Sequence, residues 1–205
     1  MVWMRKLLIT GATGGLGTEV VRHLRDEYDV VALTRAQADL RDPASVRAAV
    51  QSIGSVYGLV HLAGGFAPGS LAETSDETWA QMLDLNLTAA FFTIRETLAV
   101  MDRGAPGRII VISSDAARTK APGSVAYTVS KSALNALIEV LAKELKGTRI
   151  TANALLPTSL DTPAMRAEMP REQLVPLDRV AATIRFLLGD SGASIHGALI
   201  PLSAR

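Results

Sequence analysis

Leu7-Leu8-Ile9-Thr10-Gly11-Ala12-Thr13-Gly14-Gly15-Leu16-Gly17 is the stretch on which the fold turns. An apolar run ends in a glycine-rich turn, and Thr18-Glu19-Val20-Val21-Arg22-His23-Leu24 then places its apolar residues at helical spacing. The pattern predicts a strand, a tight turn and a helix in immediate succession. Glycine lets backbone N–H groups approach a diphosphate closely, and a helix N-terminus adds unpaired donors and a favourable dipole. The spacing is not G-x-G-x-x-G. It fits T-G-x-x-x-G-x-G through Gly11, Gly15 and Gly17, and also G-x-x-G-x-x-G through Gly11, Gly14 and Gly17. An ordinary βα turn containing glycines looks the same locally, so residues far downstream have to decide.

The 205 residues suit one domain, residues 1–205, burying roughly 70% of its unfolded surface. With 48% hydrophobic residues, a sheet covered on both faces is expected. A formal net charge of +1 without a long basic run points away from nucleic acid and membrane surfaces. The chain has no cysteine, which removes disulfides and thiolate chemistry and fits a reducing, cytoplasmic setting. Met1-Val2-Trp3-Met4-Arg5-Lys6 leads straight into the first strand without a signal-peptide pattern, and no apolar run reaches the ~20 residues of a membrane span.

Outward from the glycine turn, strand-like runs alternate with helix-like ones. Asp29–Thr34 reads as a second buried strand ending at Arg35, and Asp42-Pro43 opens a helix over Ala44–Ser52 as N-cap and first-turn proline. Val56–Leu62 is the next strand and ends in Ala63-Gly64-Gly65. A turn-rich loop, Phe66–Ser70, precedes the capping-box pattern Thr74-Ser75-Asp76-Glu77 and a helix running to about Arg103, with Asn86 in its middle. Arg108–Ser114 is a fourth strand, Ser124–Lys146 a helix stopped by Gly147, and Ile150–Pro157 a fifth strand. An irregular segment from Thr158 to about Pro176, a helix through Val180–Leu188 and an edge strand Ala198–Leu202 complete the chain. Such alternation predicts an α/β, three-layer, doubly wound fold: a parallel sheet of six to seven strands with helices on both faces and a ligand groove at the strands' C-terminal ends.

In such folds the end of the second strand lies beside the adenosine ribose, where a carboxylate would bind hydroxyls and repel a 2′-phosphate. Thr34 and Arg35 stand there instead, and a guanidinium pairs bidentately with phosphate, so NADP is favoured over NAD. Tyr127 and Lys131 lie one helical turn apart and share a helix face. A nearby ammonium favours a phenolate, so Tyr127 is a candidate acid/base. Ser114, at a strand end, is placed to hold a substrate oxygen and steady developing negative charge. Asn86, between Leu85 and Leu87 in an apolar helix, either faces water or has a buried or functional role, and it is a candidate for holding a water that joins Lys131 to solvent. The three histidines, His23, His61 and His196, lack metal-ligand spacing, and His61 reads as a strand histidine satisfied by its neighbours.

These pieces together resemble the short-chain dehydrogenase/reductase family over essentially the whole chain: Thr10–Gly17, Asp39, Ala63-Gly64, Asn86, Ser114, Tyr127 with Lys131, and Pro157 with Thr162. The resemblance implies a Rossmann-type fold and a catalytic tetrad of Asn86, Ser114, Tyr127 and Lys131. It implies cofactor contacts at Gly11, Thr13, Gly14, Gly15, Leu16 and Gly17, at Thr34, Arg35, Asp39 and Leu40, and at Ala63, Gly64 and Pro157. Lys131 would hold the nicotinamide ribose, Asp39 would face the adenine, and Leu160 and Thr162 would meet the carboxamide. It further implies a small-molecule carbonyl or alcohol substrate and a homodimer or homotetramer paired through the long helices. The chain departs from the pattern at His61-Leu62-Ala63-Gly64, where the family has Asn-Asn-Ala-Gly, and at Pro157-Thr158, where it has Pro-Gly. Between Arg35 and Asp39 there is room only for a vestigial third strand. Leu156–Pro163, Met165 and Glu168-Met169-Pro170 resemble dihydropteridine reductase, as does Ala63-Gly64-Gly65-Phe66, but Arg35 and Ser114 argue against transferring that substrate. A cofactor-sensing protein without catalysis is the other reading, and the intact tetrad speaks against it.

Overall fold

In the computed structural model, residues 4–120 and 122–204 are described, so the reading of Met1–Trp3 lies outside them. The chain runs β1 (Arg5–Thr10), α1 (Gly15–Leu24), β2 (Tyr28–Leu33), α2 (Pro43–Ile53), β3 (Gly58–His61) and α3 (Asp76–Leu83). It continues through α4 (Ala89–Val100), β4 (Gly107–Ile112), the short α5 (Ala116–Thr119), α6 (Val125–Glu144), β5 (Ile150–Pro157), α7 (Pro163–Glu168), α8 (Leu177–Leu188) and β6 (Leu199–Leu202). The strands form one sheet in the order β2-β1-β3-β4-β5-β6, with every pairing parallel.

The strands are mostly apolar because both sheet faces are covered, and strand alternation sorts their residues between two cores. Leu8, Leu59, Ile109 and Val111 pack with Val46 and Val50 of α2, Ile94 of α4 and Leu134 and Ile138 of α6. Leu7, Ile9, Val60, Ile110 and Ile112 point the other way, onto Val20 of α1 and Val180, Ile184 and Leu187 of α8. The strand order reverses between β1 and β3, so the crevice expected of such sheets lies above their C-terminal ends.

Three expectations change. Among the described residues the sheet has six strands, within the expected range, but the vestigial third strand is absent: Thr34–Ala38 form a turn, with N–H groups of Gln37 and Ala38 on the Thr34 carbonyl at 3.0 and 3.1 Å. Ala38 nevertheless reaches the core, so a single buried residue replaces the missing strand. The helix expected from Thr74 is capped by Ser75, whose hydroxyl accepts from the Thr78 N–H, and it is interrupted by a π-helical turn at Asp84–Thr88. The segment after Pro157 is ordered: Thr162 caps α7 by accepting from Met165 N–H, with Pro163 in the first turn.

Candidate active site

Glycines at the crevice divide into two kinds. Gly11 sits at φ +68°, and a Cβ there would lie 2.7 Å from the Ala63 nitrogen, so the turn after β1 presses directly on the end of β3. A Cβ on Gly17 would lie 2.2 Å from the Gly11 carbonyl oxygen, which lets α1 start tight against its own turn. Thr13, Gly14 and Gly15, by contrast, are exposed. Gly14 caps α1 without any side-chain bond, and the first turn carries no acid. The Gly14 N–H closes the turn on the Gly11 carbonyl at 3.1 Å, and the rest of the exposed crest has a positive helix end behind it, which fits an anionic diphosphate. Leu16 turns inward to the core. Thr162 faces this crest, its methyl 3.7 Å from where a Gly15 Cβ would stand. Leu160 bridges to Val175 nearby, and the buried Asp161 carboxylate ties the segment together through Arg166 and Arg171.

Beyond β2, Arg35 is exposed and forms no ion pair among the described residues, whereas Asp39 is bound by Arg41 at 2.9 Å. That hydrogen-bonded pairing draws the Asp39 carboxyl down to about 2, so any base placed there meets a neutralised carboxylate. Leu40 packs against the core beneath it.

The tetrad residues are brought together from three elements. Ser114 follows β4 and accepts from the Ala116 N–H at 3.2 Å. Tyr127 and Lys131 come from α6, and Asn86 comes from the π turn. Burial raises the Tyr127 phenol above its usual range, and the Ser114 hydroxyl facing it works against that rise. Lys131 Nζ turns toward the end of β4. Its ammonium is buried, donates to the Ile112 carbonyl at 2.8 Å, and is pushed down to about 8 by desolvation. It stands beside Gly64, where a Cβ would lie 3.2 Å from Nζ and 2.7 Å from Asn86 Oδ1. Only glycine fits between those two side chains.

The Asn86 side chain is held by protein partners. Its Oδ1 accepts from Gly65 N–H at 2.9 Å, while Nδ2 donates to the Gly65 carbonyl and to Ser130 Oγ, each at 3.0 Å. Ser130 in turn donates to the Tyr127 carbonyl at 2.8 Å. Asn86 thus clamps the loop after β3 to the helix turn bearing Tyr127. Ser130 escaped the sequence reading, although a buried serine beside Lys131 on an apolar helix was the available signal. Pro157 closes β5, and its carbonyl accepts from Asp115 N–H at 3.0 Å, which fixes the loop after Ser114. His61 corrects another expectation. Its Nδ1 shares a 2.9 Å hydrogen bond with Thr10, but the buried Nε2 has no partner among the described residues. Burial first, and the Lys131 charge second, lower the imidazole to about 3.

A family model described as short chain dehydrogenase matches residues 32–173. An NADPH-dependent aldehyde reductase-like chloroplastic protein of Arabidopsis thaliana is 32% identical over 186 residues, covering 82% of this chain and 69% of that one. An uncharacterized NAD-dependent oxidoreductase of Mycobacterium tuberculosis is also 32% identical, over 192 residues, 81% of this chain and 70% of the relative. A Burkholderia cenocepacia short chain dehydrogenase solved in complex with NADP superposes with a TM-score of 0.85 at 26% identity, covering 98% of this chain and 96% of that one. The chain belongs to the short-chain dehydrogenase/reductase family of oxidoreductases. Among its relatives the named cofactor differs, so this chain's own residues must argue for one.

Proposed function

We propose that the protein reduces a carbonyl compound to the secondary alcohol, or runs the reverse, with NADP(H) preferred over NAD(H). The observation that carries this is a half-buried phenol facing a strand-end hydroxyl, in one crevice with an exposed glycine crest. The bound dinucleotide supplies or accepts the hydride. In the reductive direction the Tyr127 phenol gives its proton to the oxygen that becomes the alcohol, and its raised pKa keeps that proton available at neutral pH. Ser114 donates a hydrogen bond to the same oxygen as charge gathers there. Lys131, in van der Waals reach of Gly64, holds the nicotinamide ribose. Gly15 offers its N–H to the diphosphate, Gly14 leaves room for its close approach, and Arg35 offers its guanidinium to a 2′-phosphate. Ala63, Pro157, Leu160 and Thr162 line the nicotinamide end. Trp79, Phe91, Val129 and Val140, exposed on α3, α4 and α6, support pairing of subunits through those helices.

The test is carbonyl-dependent oxidation of NADPH across a panel of ketones and aldehydes. Turnover with any of them supports the reading; nucleotide binding with no turnover across the panel favours a cofactor-sensing role.

A further inference from the structure

We infer that Phe66 is a specificity-determining residue that selects carbonyl compounds bearing an aryl group beside the carbonyl. The inference rests on the proposed carbonyl site and deepens it. Phe66 meets Tyr127 edge to face, with ring centroids 5.0 Å apart and planes at 76°. Its ring is nevertheless 65% exposed, and Leu71 on the same loop is 79% exposed. Two large apolar side chains thus stand open on the loop that touches Tyr127, which makes this loop a candidate contact for an apolar ligand.

The loop is not free to bury it. At its base, Asn86 holds both backbone groups of Gly65. At its far end, Gly69 N–H donates to the Gly123 carbonyl at 2.8 Å, and Val125 N–H donates to the Gly69 carbonyl at 3.0 Å. Ser70 adds a 2.6 Å bond to Glu73. Gly65 itself sits against Leu85 and Met82, where a Cβ would come within 3.1 Å of Leu85 Cδ1. Both ends of the loop are therefore pinned to the elements that position Tyr127. The Phe66 ring is a preorganised wall beside the proton donor, and a flat apolar substituent next to the reacting carbonyl is what such a wall recognises.

The test is binding, measured in the protein saturated with oxidised NADP so that no ketone can be reduced. Affinities of acetophenone and of a straight-chain methyl ketone with equal carbon count are compared by titration calorimetry. Phe66→Ala should weaken acetophenone roughly three- to tenfold and the straight-chain ketone much less, and Phe66→Tyr should restore the difference. Equal losses for both ketones, or no binding of either to the unmodified protein, would overturn the inference. Selective loss in a protein that never oxidises NADPH with any carbonyl would uphold the role of Phe66 and remove the proposed reaction instead.

Discussion

His61 makes the molecule sensitive to acid. Its imidazole lies at about 3 in the folded chain, against about 6.5 when unfolded, so below that value the unfolded chain takes up a proton that the native one refuses. The stabilisation is complete above pH 6.5 and is lost as pH falls toward 3, with a slope of about 1.4 kcal/mol per unit. In His61→Asn, urea unfolding between pH 6 and pH 4 should show that slope subtracted from the unmodified protein's, and parallel profiles would contradict the assignment. Arg35 carries the second expectation at this scale. Arg35→Asp should weaken NADPH through repulsion and strengthen NADH through ribose hydrogen bonding, as read by calorimetry. Equal or tighter NADH binding by the unmodified protein would sink the preference. Side-chain types and spacings made Ser114, Tyr127, Lys131 and Arg35 candidates from sequence. Partners across the fold were not legible there: nothing local says that Lys131 turns to Ile112, or that Asn86 reaches Ser130.

Elements were legible wherever periodicity and caps agreed. The Asp42-Pro43 signal predicted α2, and the structure has Asp42 accepting from Ala44 N–H with Pro43 in the first turn. Thr162-Pro163 is the same signal, yet the segment read as irregular because α7 is short and contributes no buried residue to give it a periodic face. The π turn was half legible. Asparagine amid an apolar helix marked the place, but a change of hydrogen-bond register is set by what Asn86 reaches, Gly65 and Ser130 on other elements. Asn86→Ala should cost about 2–4 kcal/mol of stability, because Gly65 and Ser130 lose their partners. Denaturant unfolding with a loss under ~0.5 kcal/mol, the size of an ordinary surface change, would contradict the clamp.

Across the whole molecule, the doubly wound order followed from alternating strands and helices, while the number of strands depended on a loop that sequence patterning describes poorly. The turn at Thr34–Ala38 leaves β2 at the sheet edge. Assembly belongs to this scale as well: light scattering at micromolar concentration should give a dimer or tetramer mass, and a monomer mass would reject pairing through α3, α4 and α6. The crevice is the other whole-molecule property, since β1, β4, α6 and the π turn all contribute to it. Its central claim is that the Tyr127 phenol is the proton donor. The most direct measurement is kcat for carbonyl-dependent NADPH oxidation beside NADPH affinity in Tyr127→Phe. The phenyl ring still packs against Phe66, so affinity should hold while kcat falls by at least ~10²-fold, the contribution of a positioned acid. A Tyr127→Phe protein that keeps most of its kcat would contradict the account.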